Sequence, residues 1–346
     1  MPNLKICSFN CEWMNDWFVS GSGPAAFRAT FTKDGHTSNT DTTCKRTAAV
    51  ITAIDPDMLA VQEGPSRQEE LELFVSTYLK DGGGAPRYQC FLGDTGAAQK
   101  VGVLFKPQIG AQLALHADIT GLIDPWLADV DGNEQLEDYE FTRSPLVVNL
   151  QAGAAIFQVI VMHTKSNFIQ RGQAMWNDPA EKQNYIHQAL RNRRRISAEG
   201  MRTRAYLDAL LSGDAARRII VLGDLNDGPG RDYFEDKYLT HNVTDLLIGS
   251  TFEPEWIFTH AQRDVVVAQR YTAVFDDYVP NPQPNKRMLL DHILLSPGFG
   301  GATGLRKVAN SGAVNHAEFN AQVVNNGQHR EDRPSDHRPV SVTLQY

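Results

Sequence analysis

An α/β fold in one continuous domain is predicted by the 346-residue sequence on three observations. Short apolar runs recur along the chain, and each ends in a polar side chain. Helical patterning lies between them. No internal repeat or Pro/Ser-rich linker divides the chain, so residues 1–346 read as a single unit. Stretches near 13–44, 118–141 and 166–200 read as insertions.

Leu4 to Phe9 is the first strand-like run and leads into Asn10. Met58 to Val61 leads into Gln62 and Glu63, Ile156 to Met162 into His163, and Ile219 to Leu222 into Gly223 and Asp224. Pro145 to Leu150 is a further β-rich run, and Val340, Val342 and Leu344 alternate at the end of the chain. Near-continuous apolar runs suit strands covered on both faces. Between them, Arg67 to Lys80 places Leu71, Phe74, Val75, Tyr78 and Leu79 on one helical face. Ala180 to Leu211 is a longer helical stretch that Gly200 should break or weaken. Trp13 to Cys44, rich in Gly, Ser, Thr and Asn, reads as a loop that shapes the substrate mouth. Phe275 to Lys286 reads as a rigid, Pro-rich connection.

Lys and Arg number 33 against 41 Asp and Glu, a formal net charge of −8. That excludes a broad basic surface holding nucleic acid mainly by phosphate neutralisation, but leaves room for a narrow cation-loaded cleft. Cys7, Cys11, Cys44 and Cys90 show no CxxC spacing and are expected as buried free thiols. The N-terminus enters a strand at once, without a basic n-region or apolar h-region. The cytoplasm is therefore the expected compartment, or a secreted or periplasmic one if a leader has been removed. No apolar run approaches the ~18 residues of a membrane span.

Chemistry-bearing residues cluster at these strand ends. Glu63 closes a buried strand, where a carboxylate without a cation or other partner is costly. Asn10 and Glu12 are two apart, so in a continuing strand they would share a face and reach the same ion. Oxygen ligands of this kind suit Mg²⁺ or Mn²⁺. Asp224 and Asn226 repeat the spacing, where a carboxylate could orient an attacking water and an amide hold phosphate; an Asx-turn is the alternative. His163 could donate to phosphate or pack as a core histidine. Asp291 and His337 could pair, the acid fixing the imidazole tautomer and favouring its protonated form. Asp336 precedes His337 directly, so the backbone there must bend for both to face one site.

These residues lie in motifs that together resemble the endonuclease/exonuclease/phosphatase superfamily. Its members include pancreatic-type deoxyribonucleases, apurinic endonucleases, neutral sphingomyelinases and inositol-polyphosphate 5-phosphatases. The motifs are Ser8-Phe9-Asn10-Cys11-Glu12, Val61-Gln62-Glu63, Phe141-Thr142-Arg143-Ser144-Pro145 and His163-Thr164-Lys165-Ser166. Gly223-Asp224-Leu225-Asn226, Leu290-Asp291-His292-Ile293-Leu294 and Ser335-Asp336-His337-Arg338-Pro339 follow in order. The resemblance implies a four-layer α/β sandwich, two mixed sheets face to face with helices outside and the site at one end. It implies one or two divalent ions, Mg²⁺ or Mn²⁺, held by Glu63 with Asn10, Glu12 and Asp336. It further implies Asp224 activating water, Asn226 holding water or phosphate, and Arg143, His163 and His337, the last supported by Asp291, contacting the scissile phosphate.

The His163-Thr164-Lys165-Ser166 and Gly223-Asp224-Leu225-Asn226-Asp227 motifs resemble bacterial nuclease-like members most. The expected activity is therefore phosphodiester hydrolysis on DNA or RNA. The alternatives are hydrolysis of small phosphodiesters, phosphomonoesters or phospholipid headgroups, and a catalytically silent scaffold. Trp13, Met14, Trp17 and Phe18 could stack on a base, line an apolar pocket or pack the insertion. Arg191, Arg193, Arg194, Arg195, Arg202 and Arg204 cannot all share one helix face and read as a solvated, ion-paired surface, with nucleic-acid contact as the alternative. Asp129, Asp131, Asn133 and Glu140 echo a Ca²⁺ loop, but Glu134 stands at its glycine position. The segment is read as an acidic turn, with a structural Ca²⁺ as the alternative.

Overall fold

The computed structural model describes residues 3–33, 35–94, 98–239, 242–301, 304–323 and 330–346. Two mixed sheets form its centre. In the first, Asn3–Asn10 runs parallel to Met58–Gly64 and antiparallel to Val340–Gln345, while Lys100–Phe105 pairs with the far side of Met58–Gly64. In the second, Ala155–His163 runs parallel to Ile219–Asp224, which pairs antiparallel with Asp291–Leu295. Leu146–Ala152 flanks Ala155–His163 on its other side.

Alternation sorts the side chains into layers. Leu4, Ile6, Met58 and Ala60 of the first sheet interdigitate with Val159, Val161, Ile220, Leu222 and Ile293 of the second, forming the central core. The opposite parity of the first sheet, Phe9, Leu59 and Val61, packs against Ile51 of the Thr40–Ile54 helix and Leu71 and Phe74 of the Gln68–Tyr78 helix. On the second sheet, Ile219, Val221 and Ile160 meet Leu207 and Leu211 of the Lys182–Gly213 helix. The result is the expected α/β/β/α sandwich.

Three local expectations change. The long helix is continuous through Gly200. A Cβ there would lie 2.2 Å from Val243 Cγ2, so the glycine serves close approach of a neighbouring segment rather than a break. The segment 13–44 is structured: a short 3-10 helix at Met14–Trp17, a hairpin of Thr30–Lys33 with His36–Asn39, and the first turn of the Thr40–Ile54 helix. Asn39 caps that helix by accepting from Thr42 N at 2.9 Å. Finally, Phe275 to Lys286 lies in a hairpin, Ala273–Asp277 with Gln283–Met288, instead of a rigid connection. This ladder has only two strands, so Pro284 can face away from its partner.

The four cysteines are free thiols, buried at Cys7, Cys11 and Cys44 and partly buried at Cys90. Asp129 accepts from the backbone N–H of Asn133 and Glu134, and Asp131 pairs with Arg194 at 2.8 Å, which makes this segment an acidic turn closed on its own donors. Among the described residues no helix is long and apolar enough to cross a membrane.

Candidate active site

Four strands of the two sheets end on the same rim of the sandwich, and their inter-sheet faces turn polar there. Asn10 has the parity of Leu4 and Ile6; His163 that of Val159 and Val161; Asp224 that of Ile220 and Leu222; Asp291 that of Ile293. The last three lie abreast, since His163 is in register with Asp224 and Asp224 with Asp291. Each side chain is therefore aimed between the sheets by the same alternation that builds the core. All four are buried.

Glu63 needs a further device. Its parity matches Leu59 and Val61, which would send it into the helix layer. The pairing with Lys100–Phe105 shifts register between Val61 and Gly64, and Glu63 adopts φ 53°. This bulge re-aims the carboxylate into the rim. Its Oε1 accepts from Asn10 Nδ2 (3.2 Å), and its Oε2 from Trp13 N (2.9 Å) and Gln99 Nε2 (2.8 Å). Glu12, Trp13 and Asn226 also have positive φ, so left-handed, non-glycine backbone concentrates around this site.

Asp224 is the junction. Its Oδ2 accepts from Asn10 Nδ2 (3.0 Å) and lies 3.6 Å from His163 Nε2 and 3.9 Å from His337 Nε2. Its Oδ1 accepts from Asn226 N (2.8 Å). Asn226 thus forms the Asx-turn and leaves the strand face, so the shared-face geometry with Asp224 does not hold. Its Nδ2 instead donates to Thr164 O (3.2 Å), which also accepts from Arg143 Nη1 (3.0 Å). Arg143 reaches back through Nη2 to Gln99 Oε1 (3.3 Å), and so to Glu63.

The two histidines are electrostatically opposite. His337 Nδ1 donates to Asp291 Oδ2 at 2.7 Å. Burial presses its pKa down, but Asp291, Asp224 and Asp336 together lift it well above the ordinary value, which favours the imidazolium form. His163 is held well below the ordinary value by burial, then by Arg143 and His337, so it is neutral. Burial pushes Asp224 upward, against the pull of His337. A buried carboxylate of raised basicity beside an imidazolium is a plain acid–base pairing.

Glu12 does not share Asn10's face. The strand ends at Asn10, whose Oδ1 accepts Glu12 N (3.0 Å), and the left-handed turn carries the Glu12 side chain to Lys33 (2.6 Å) and Arg330 (3.2 Å). Asp336 also pairs with Arg330. The expected bend is present: Ser335 Oγ donates to Asn10 O (2.7 Å) and accepts His337 N (3.0 Å). The Asp336 and His337 side chains consequently approach one another instead of facing opposite ways, with Asp336 Oδ1 3.9 Å from His337 Nε2. Of the four large apolar residues Trp13, Met14, Trp17 and Phe18, the last three are core, whereas Trp13 stays 43% exposed beside Glu63.

The donor set fits a hard divalent cation. Glu63 is pushed upward by burial and then by Asp336, a sign of buried negative charge in excess of its partners. Asn10, Glu63 and Asp336 offer only oxygen as ligand atoms, and Glu12 adds another carboxylate beside Asp336. Asp224, Asp291 and His337 also offer ligand atoms within 4.8 Å of one another. A cation centred there would compete with the 2.7 Å Asp291–His337 bond.

Two residues were not visible as functional in the sequence. Gln99, joining Glu63 to Arg143, carries no motif. Glu199 is 1% exposed and accepts Thr142 N (2.8 Å) and Lys165 N (3.0 Å), clamping the Arg143 and Lys165 loops together. A lone acid between Ser197-Ala198 and Gly200, on a small-residue helix face, was its one sequence signal.

A second buried network supports the Asn226 loop. Gln262 N donates to His260 Nδ1 (3.2 Å), so His260 Nε2 donates to His292 Nδ1 (2.8 Å) and His292 Nε2 to Asp227 O (2.8 Å). Every ring nitrogen is used in the neutral form, and protonation of His260 would set two N–H groups against each other. Burial, then His292, lowers His260 from 6.5 to about 3, and burial lowers His292 as well. With the folded pKa below the unfolded one, the unfolded state takes up the proton first. Stability is then full above 6.5 and declines as pH falls from there towards 3. Melting temperatures measured across that range should fall with acid, and less steeply in His260→Gln; equal slopes would remove this network from the account.

No curated protein matches the sequence. Among solved structures, the catalytic domain of human Nocturnin is similar at 13% identity, covering 99% of this chain and 93% of that one, with a TM-score of 0.51. A truncated TDP2 from Caenorhabditis elegans is similar at 11% identity over 99% and 98%, with a TM-score of 0.50. So is an endonuclease/exonuclease/phosphatase from Bacteroides vulgatus, at 11% over 100% and 99% and a TM-score of 0.50. At such identities the likeness concerns the fold alone. The sequence profile of one family matches residues 10–337, beginning at Asn10 and ending at His337, so the chain belongs to the Endonuclease/Exonuclease/phosphatase family, whose members are divalent-metal-dependent phosphoric ester hydrolases.

Proposed function

We propose that the protein is a phosphodiesterase that hydrolyses nucleic acid by in-line attack of water. The observation that carries this reading is the position of Asp224, whose Oδ2 faces the imidazoles of His163 and His337 at 3.6 and 3.9 Å. Asp224, raised by burial, accepts the proton of the attacking water. His337 Nε2, its other nitrogen held by Asp291, donates to a non-bridging phosphate oxygen as charge develops there. His163 donates as a neutral imidazole, Asn226 orients the water or the phosphate, and Arg143 contacts the phosphate. Glu63, Asn10 and Asp336, with Glu12 beside them, would hold Mg²⁺ or Mn²⁺, which when bound supplies Lewis-acid neutralisation of the phosphoryl oxygens.

A substrate panel tests the reading. Plasmid DNA, RNA, a bis-aryl phosphodiester, an aryl phosphomonoester and sphingomyelin would be offered with Mg²⁺, Mn²⁺ or chelator. Metal-dependent cleavage of the bis-aryl diester and a nucleic acid is expected. Turnover of the monoester alone would overturn the phosphodiesterase reading, and turnover of small diesters or sphingomyelin without either polymer would remove nucleic acid as substrate.

A further inference from the structure

The arginine-rich helix divides into two populations. Arg193 pairs with Asp232, Arg194 with Asp131 and Arg204 with Asp208, while Arg202 donates to the carbonyls of Leu122, Thr120 and Asp124. These are the solvated, partnered residues expected of such a face. Arg191 and Arg195 differ. They stand eight and four residues before Glu199, and so form one stripe with it along the helix.

Glu199 anchors this stripe to the active site. Its two backbone acceptances bring Arg143 and Lys165 side by side, and Arg143 in turn shares Thr164 O with the catalytic Asn226. Lys165 Nζ has Ser166 O as its hydrogen-bond partner, at 2.9 Å. Arg195 donates to Glu140 O and pairs with the exposed Glu140 carboxylate at 3.7 Å. Among the described residues no carboxylate lies within ion-pair distance of Arg143, Lys165 or Arg191. Lys165 is pushed down by burial and then by Arg143, with Arg195 and Arg191 adding to the repulsion against the pull of Glu199. Lys165 and Arg143, with Arg191 and Arg195 close enough to repel Lys165, thus set four cations against the two carboxylates of Glu199 and Glu140, in a protein with a net charge of −8.

We propose that Lys165, Arg191 and Arg195 form a second anion subsite, continuous with Arg143, that takes the phosphate neighbouring the scissile one on a nucleic-acid strand. The proposal rests on the phosphodiesterase reading above and narrows it to a substrate with at least two phosphates. Like charges held together are relieved when a polyanion enters between them, and a strand supplies that charge in a way an isolated diester does not. Glu199 is the positioning residue that keeps the subsite in register with the catalytic cluster.

The test uses a short single-stranded oligothymidylate bound in chelator, so that binding is read without turnover, and the bis-aryl diester with metal for activity. Wild type is compared with Arg191→Ala and Lys165→Met, each first checked for an unchanged melting transition. Loss of one phosphate contact should lower the slope of log affinity against log salt by about 0.7. The fall in kcat/KM on a thymidine trinucleotide should exceed that on the bis-aryl diester by about ten-fold. Unchanged salt slopes, or equal losses on both substrates, would overturn the subsite. A wild type that binds the strand with a steep salt slope but hydrolyses nothing would instead overturn the enzymatic reading and leave the subsite standing.

Discussion

His337→Ala is expected to lower kcat/KM on a phosphodiester by about 10³-fold, the combined scale of a lost transition-state donor and a lost acid–base partner. His337 is the imidazolium that faces Asp224, and its removal leaves that buried carboxylate without its nearest cationic neighbour. Asp291→Asn should be the informative companion. It preserves volume but replaces the acceptor at 2.7 Å with a group that no longer stabilises the charged ring. Its loss should be smaller than that of His337→Ala and should grow as pH rises, because the imidazole then sheds its proton at lower pH. Circular dichroism and melting curves establish that both variants fold. Activity within a few-fold of wild type in folded His337→Ala would mean that this histidine does not meet the substrate.

Glu63→Ala should remove both turnover and the response of the folded protein to divalent ions. An ion that binds only the native state stabilises it by about 2.7 kcal/mol at one hundred times its Kd. Wild type should therefore melt higher in Mn²⁺ or Mg²⁺ than in chelator, whereas Glu63→Ala should melt alike in both. Titration calorimetry gives the same comparison without heating. A full metal-induced shift in the variant would move the cation seat away from Glu63, towards Asp224, Asp291 and His337.

The polar strand ends were legible because alternation is short-range: once Ile220 and Leu222 face the core, Asp224 does too. The Asp291–His337 contact was also reachable, although the partners lie 46 residues apart. Backbone excursions were not legible. Nothing in Val61-Gln62-Glu63-Gly64 announces a non-glycine residue at positive φ, yet that angle decides whether Glu63 reaches the rim or the helix layer. The same blindness misdirected Glu12, whose i, i+2 spacing from Asn10 matters only while the strand continues. The Thr40–Ile54 helix was hidden by its opening Thr40-Asp41-Thr42-Thr43, residues of low helix propensity that here begin a capped helix supported by packing. Gln99 and Glu199 act through backbone groups and amides of distant loops, which local composition does not encode.

The rim residues share their facing with the core beneath them, and this constrains how the gene can change in length. Deleting one codon within Ile219 to Leu222 would turn Asp224 towards the helices while exposing the core to the wrong side chains. Deleting two would restore the facing and shorten only the reach. Odd and even deletions in these strands should therefore separate sharply in a scan.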